Sequence, residues 1–139
     1  MDSHGIPAVL IDTNIVIYLL HGDSRAQACA PYLEGKIVAI SFQSVGELWY
    51  GAIRNEWGDR KLRRIDDRVQ KMTVLTVDEA TVRIWADLRA ASESRGLTKS
   101  IADLWIAATA KRHDLPLVTN DRGFLTALDI EVLSPDLGQ

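Results

Sequence analysis

Short, wholly apolar runs alternate along the chain with longer amphipathic stretches. Residues 8–11 (Ala, Val, Leu, Ile) are apolar without interruption and stop at Asp12. So short and uniform a run reads as a strand buried on both faces. Residues 37–40, 73–77, 116–119 and 130–133 read as four further strands. Between the first two, the apolar stretch 14–20 closes on a His21-Gly22-Asp23 turn, and Ser24 opens a segment to Leu33 that Glu34 and Gly35 end. Residues 41–53 predict a helix capped by Ser41 or Ser44. Residues 59–71 predict a strongly charged one with Leu62, Ile65 and Val69 at helical spacing. Asp78 caps a helix carrying Val82, Trp85, Ala86 and Leu88, which Arg95 and Gly96 terminate. Residues 100–112 place Ile101, Leu104, Trp105 and Ala108 on one helical face, and 120–128 predict a short helix. Strands separated by helices imply a parallel sheet with helices on both faces, hence an α/β protein. No internal repeat, linker or low-complexity tract interrupts the pattern.

Composition sets bounds on this picture. A chain of 139 residues, 47% hydrophobic and 25% charged, is one globular domain spanning residues 1–139, and disorder is excluded. A chain of this mass buries roughly 68% of its unfolded surface, so it needs no disulfide or structural zinc. Cys29 is the single cysteine, which rules out an intrachain bridge and a Cys-rich zinc site and suggests a reducing compartment, the cytoplasm. No apolar run approaches the ~20 residues of a membrane helix, and no basic region precedes the first apolar stretch. The net charge of −3 argues against a dedicated basic nucleic-acid binder. It is compatible with an enzyme that meets nucleic acid through bound cations, because a metal reverses the local field.

The candidate chemistry lies where strands end, since open parallel sheets bind ligands beyond their carboxyl ends. Asp12, Thr13 and Asn14 follow the first strand, and Thr119, Asn120 and Asp121 follow the fourth. Glu47 sits in the second turn of the helix after the second strand, and Asp103 in the first turn of the helix leading to the fourth. Clustered carboxylates repel by about 3 kcal/mol per pair at ~5 Å and an effective dielectric of ~20. They therefore raise their pKa values or bind a hard divalent ion. With no His or Cys nearby, Mg2+ or Mn2+ suits the set, and such an ion supports phosphodiester hydrolysis. Each acid also has a plainer role available. Asp12 fits a helix cap. Glu47 and Asp103 follow Ser44 and Ser100 at capping-box spacing, and Asp121 fits a helix start favoured by the dipole.

The residues also resemble a known family. Val9-Leu-Ile-Asp-Thr-Asn14, Ser44-Val-Gly-Glu-Leu-Trp-Tyr-Gly51, Asp103-Leu-Trp-Ile-Ala-Ala108 and Leu117-Val-Thr-Asn-Asp121, followed by Phe124, are similar in order and spacing to the PIN domain. Within it, the likeness is to the VapC-like ribonuclease toxins of prokaryotic toxin–antitoxin pairs. The resemblance covers nearly the whole chain. It implies an α/β/α sandwich around a five-stranded, mainly parallel sheet. It implies that Asp12, Glu47, Asp103 and Asp121 form a catalytic acidic pocket binding Mg2+ or Mn2+. Asp12 and Asp103 would be the main ligands, Glu47 would ligate or orient the attacking water, and Asp121 matches the most variable position. Thr13, Asn14, Thr119 and Asn120 would give supporting hydrogen bonds. The resemblance further implies an RNA substrate, transfer RNA among the candidates, a homodimer, and a VapB-like antitoxin whose C-terminal tail covers the site.

Other features carry two readings. Residues 54–71 hold seven basic and four acidic side chains, either a solvated helix face with i,i+4 pairs or an arm guiding RNA phosphates. Trp49, Tyr50 and Trp57 read as core, or as an antitoxin or dimer groove. Trp85 and Trp105 read as core, Cys29 as a small buried hydrophobe, and His4, His21 and His113 as surface residues. Lys99 reads as an exposed lysine, with contact to substrate phosphate as the alternative. Two other functions compete with the nuclease. One is a haloacid-dehalogenase-like phosphohydrolase with Asp12 as nucleophile, which wants a second Asp where this chain has Asn14. The other is a non-catalytic binding module.

Overall fold

The first apolar run forms β1 (Ala8–Ile11), buried along its whole length, in a computed structural model that describes residues 5–97, 99–121, 128–135 and 137. The remaining strands are β2 (Ile37–Ser41), β3 (Thr73–Leu75), β4 (Leu117–Val118) and β5 (Val132–Leu133). All pair in parallel, in the order β3-β2-β1-β4-β5. β1 is central, with Leu10 in register with Ala39 on one side and Leu117 on the other. The chain order reverses between β1 and β4, so the carboxyl ends of these two strands flank the crevice that open parallel sheets use for ligands.

Alternation along β1 divides the core in two. Ala8 and Leu10 point to one face, where they pack with Leu88 of α5 (Glu79–Ser94) and Leu104, Ala107 and Ala108 of α6 (Ile101–Arg112). Val9 and Ile11 point to the other. There they meet Ile15 and Val16 of α1 (Thr13–His21), Cys29 of α2 (Ser24–Leu33), Leu48 and Ala52 of α3 (Phe42–Arg54), and Ile65 and Val69 of α4 (Asp59–Gln70). Among the described residues, helices on both faces of the sheet make the three-layer arrangement that the alternating pattern predicts. Each buried Leu or Ile contributes about 1.5–3 kcal/mol. The buried Cys29 behaves as a small hydrophobe, and burial pushes its thiol pKa up.

Caps set the helix ends. Asp12 caps α1 by accepting from the Ile15 amide at 3.0 Å, and Gly22 ends it with φ 68°, a left-handed conformation that glycine adopts at no steric cost. Asp23, not Ser24, caps α2, because its carboxylate reaches the Arg25 amide at 2.9 Å. α5 and α6 run antiparallel. Asp78, the α5 cap, receives a forked bond from Arg112 at the end of α6, the shortest contact being 2.7 Å. This guanidinium holds the Asp78 carboxyl well below the usual carboxylate range. Between the two helices Trp85 stacks on Trp105 at 4.8 Å, and Phe42 meets Trp105 edge-on, as expected of core aromatics.

Two further details differ from the sequence reading. The strands at 73–77, 116–119 and 130–133 shorten to three, two and two residues, although Pro116, Thr119 and Glu131 still make backbone bonds to the neighbouring strand. Among the described residues no ion pair lies within α4. Its arginines reach the end of α1 instead: Arg64 donates to the Leu20 carbonyl and Arg68 to the Leu19 carbonyl at 3.4 Å, which partners orphan helix-end acceptors. The short helix expected over 120–128 lies largely outside the described residues, with Phe124, as does His4.

Candidate active site

β1 runs into Asp12 and β4 into Thr119, and the register sets these two residues against each other. Ile11 pairs with Val118, so Asp12 and Thr119 come side by side on adjacent strands. The Asp12 amide donates to the Val118 carbonyl at 3.2 Å, and the Thr119 hydroxyl donates to Asp12 Oδ2. Thr119 is buried, and its Oγ1 also accepts the Asp121 amide at 3.1 Å. One hydroxyl thus joins the first and last acids of the candidate set. Asn120, beside them, donates to the Tyr18 hydroxyl at 3.2 Å.

Asp12, Asn14, Asp103, Ile106, Leu117, Thr119 and Asp121 line one cleft of about 540 Å³, counting its open mouth. Three acids from separate segments therefore line one cleft at the carboxyl edge of the sheet. Burial raises the Asp12 pKa, and the Asp103 charge adds to the rise. Bonds from Thr119 and from the Ile15 and Asn14 amides oppose it without cancelling it. Asp103 stands in the first turn of α6, where the cap Ser100 accepts its amide at 3.1 Å, half of the capping box its spacing suggests. Asp121 is exposed at the rim.

Glu47 does not line this cleft. Its capping-box alternative does not form, since Ser41 caps α3 and Ser44 lies inside the helix, one turn before Glu47. Glu47 is tied instead to Thr13, next to Asp12, at 3.1 Å. Among the described residues no three His, Cys, Asp or Glu side chains stand close enough together to hold one metal ion. A Mg2+ ion that keeps most of its water needs only one or two carboxylates. Among the described residues that line the cleft, Asp12 and Asp103 are carboxylates whose oxygen chemistry suits such a hard ion. The residues present fit Mg2+ or Mn2+.

The sequence reading named Thr13, Asn14, Thr119 and Asn120 as supporting residues, but not Ser41, Ser44 or Tyr18. The Ser44-to-Glu47 spacing was the available signal, because i,i+3 places both on one helix face. The aromatic trio separates. Trp57 lines an apolar cleft of about 430 Å³ between α1 and α4 with Ile17, Leu20 and Ile65, rimmed by His21, Lys61 and Arg64. Trp49 faces a shallow depression beside Leu62 and Arg63, and Tyr50 is exposed.

Comparison with known proteins gives concordant likenesses. The family described as PIN domain matches residues 9–128. Ribonuclease VapC5 of Mycobacterium tuberculosis is 33% identical over 124 residues, covering 88% of each chain. Toxin FitB of Neisseria gonorrhoeae is 30% identical over 136 residues, covering 91% of this chain and 97% of that protein. Among solved structures, VapBC-5 of M. tuberculosis, a member of the VapBC family of toxin-antitoxin systems, superposes with a TM-score of 0.68 at 28% identity. It covers 92% of this chain and 97% of that one.

Proposed function

The chain belongs to the PIN domain family, and from that membership we propose that it is a metal-dependent endoribonuclease, the toxin of a toxin–antitoxin pair. The observation that carries the reading is the convergence of Asp12, Asp103 and Asp121 on one solvent-open cleft at the crossover of the sheet. The ribonuclease and the toxin among its relatives support the substrate class and the biological role.

In this reading Asp12 and Asp103 hold Mg2+ or Mn2+, Asp121 contributes from the rim, and Glu47 orients the attacking water. When bound, the ion would neutralise phosphate charge and lower the pKa of a coordinated water that serves as nucleophile. The chain prepares that chemistry with its own donors. Asp12 Oδ1 takes the Ile15 amide and Oδ2 the Thr119 hydroxyl, and with the Asn14 amide these bonds fix the carboxylate plane without using all its lone pairs. The α1–α4 cleft, apolar with a basic rim, suits an amphipathic acidic segment of the antitoxin. No helix among the described residues is long and apolar enough to cross a membrane, and a cytoplasmic homodimer accords with an RNA substrate.

The test is RNA cleavage by the purified full chain with Mg2+ or Mn2+, alongside Asp12→Ala and Asp103→Ala. Cleavage that needs the ion, stops with EDTA and is lost in both variants is the expected result. Cleavage retained in both variants would refute the assignment. Phosphate release from small monoesters through an acyl-phosphate would point to the phosphohydrolase instead.

A further inference from the structure

We propose that Ser44 and Thr13 form a one-way hydroxyl relay whose task is to hold Glu47 in a single orientation against the start of α1, next to Asp12, an inference that rests on the ribonuclease reading for its catalytic consequence. Thr13 Oγ1 lies 2.9 Å from Ser44 Oγ and 3.1 Å from Glu47 Oε1. A hydroxyl has one proton to give, and an ionised carboxylate only accepts. The Thr13 proton therefore goes to Glu47, and Thr13 must in turn accept from Ser44. Ser44 is fully buried, so its proton has no water to turn to. Behind it Ser41, equally buried, accepts the Ser44 amide at 3.1 Å and lies within a longer 3.4 Å of Ser44 Oγ, so its own proton continues the same direction.

Three hydroxyl protons thus point the same way and end on Oε1. Each bond polarises the next, which strengthens the last one. The link also ties two helices: Thr13 opens α1 directly after Asp12, and Glu47 rides on α3. A carboxylate that does not line the cleft is thereby held at a fixed offset from one that does. Ser44 and Thr13 are positioning residues, because they act through Glu47.

The test uses the full chain with Thr13→Val, Thr13→Ser and Ser44→Ala. The three-bond side-chain couplings of Glu47, read by NMR, report its rotamer without reference to activity. A single rotamer in the wild type and in Thr13→Ser, with averaging in Thr13→Val and Ser44→Ala, is expected. In RNA cleavage Thr13→Val should lower kcat by about 10–100-fold with KM unchanged, as loss of a supporting hydrogen bond does elsewhere. It should have no further effect in a Glu47→Ala background, and Thr13→Ser should restore the rate. An equally ordered Glu47 in Thr13→Val, or the same loss in the Glu47→Ala background, overturns the relay. A wild type that leaves RNA intact refutes the ribonuclease reading alone, since the couplings still decide the relay.

Discussion

Replacing Thr119 by Val removes one oxygen and keeps the shape of the side chain. That oxygen serves two partners: it donates to Asp12 Oδ2 and accepts the Asp121 amide at 3.1 Å. A hydrogen bond to a charged group contributes about 1.5–3 kcal/mol. The Asp121 amide lies at the exposed rim and recovers a water, so its loss adds little. Valine returns part of the difference, because at this buried position a methyl group needs no partner. The net cost is about 1–2 kcal/mol. With an unfolding entropy of about 2.1 cal/mol/K per residue over 139 residues, that lowers Tm by roughly 3–7 °C.

Activity should suffer in a way that identifies the cause. Burial raises the Asp12 pKa, and the Thr119 bond is the largest influence opposing it. Without that bond the carboxyl protonates at higher pH, and the acidic limb of the kcat/KM profile for RNA cleavage moves toward neutrality. Thr119→Ser, which keeps the hydroxyl, should hold the limb near its wild-type position. A Thr119→Val protein with the wild-type Tm and an unmoved limb would refute the argument, since the bond would then carry neither stability nor charge.

Asp12→Asn keeps an N-cap acceptor but removes the ionisable group. Asp12 is held above its ordinary pKa, so its contribution to stability is present below that pKa and lost as pH rises through the folded value. The variant should therefore melt higher than wild type at pH 7 in divalent-free buffer, with the gap closing below about pH 4. Asp78 has the opposite sign: Arg112 depresses its pKa, so its contribution is full above the ordinary carboxylate range and fades as pH falls through its much lower folded value. Arg112→Leu should lower Tm at pH 7 and by progressively less in acid; a constant difference would exclude the pair as its cause. Leu10→Ala hollows the central strand at a fully buried position and should cost about 3–4 kcal/mol in urea unfolding. Arg63 is exposed on α4, and Arg64 is committed to the Leu20 carbonyl, so Arg63→Glu isolates the basic-arm reading. It should slow RNA cleavage several-fold at low salt and not at high salt, with Mn2+ binding unchanged; equal rates at low salt would remove the arm.

What the sequence made legible was whatever depends on neighbours along the chain. The run 8–11 can be satisfied only by burial on both faces, and Asp12 marks its end whatever the tertiary context. The strand-end rule and the first turns of the helices pointed to Asp12, Asp121 and Asp103, which line one cleft, and to Glu47, which does not. Strand lengths were over-read at Thr76 and Val77 because a strand ends where its partner's ladder ends, which composition does not encode. The mutual placement of the acids depends on register. That Thr119 and Asp12, 107 positions apart, share a hydrogen bond results from Ile11 standing opposite Val118, and from no local feature.

Threonine hydroxyls support both Asp12 and Glu47. A lysine or arginine against Asp12 or Glu47 would stabilise the carboxylate, but it would also cancel the negative charge that draws a hard dication. Threonine gives the same hydrogen bond and adds no charge. Asp12 takes its support from Thr119 and the Ile15 amide, and Glu47 takes its support from Thr13. Both threonines stand just past the carboxyl end of a strand, where a parallel sheet turns its backbone toward the crevice. The sheet edge thus supplies donors that order the carboxylates and leave their charge in place. Burial still raises the Asp12 pKa against the pull of these donors, so the buried charge is left short of full stability.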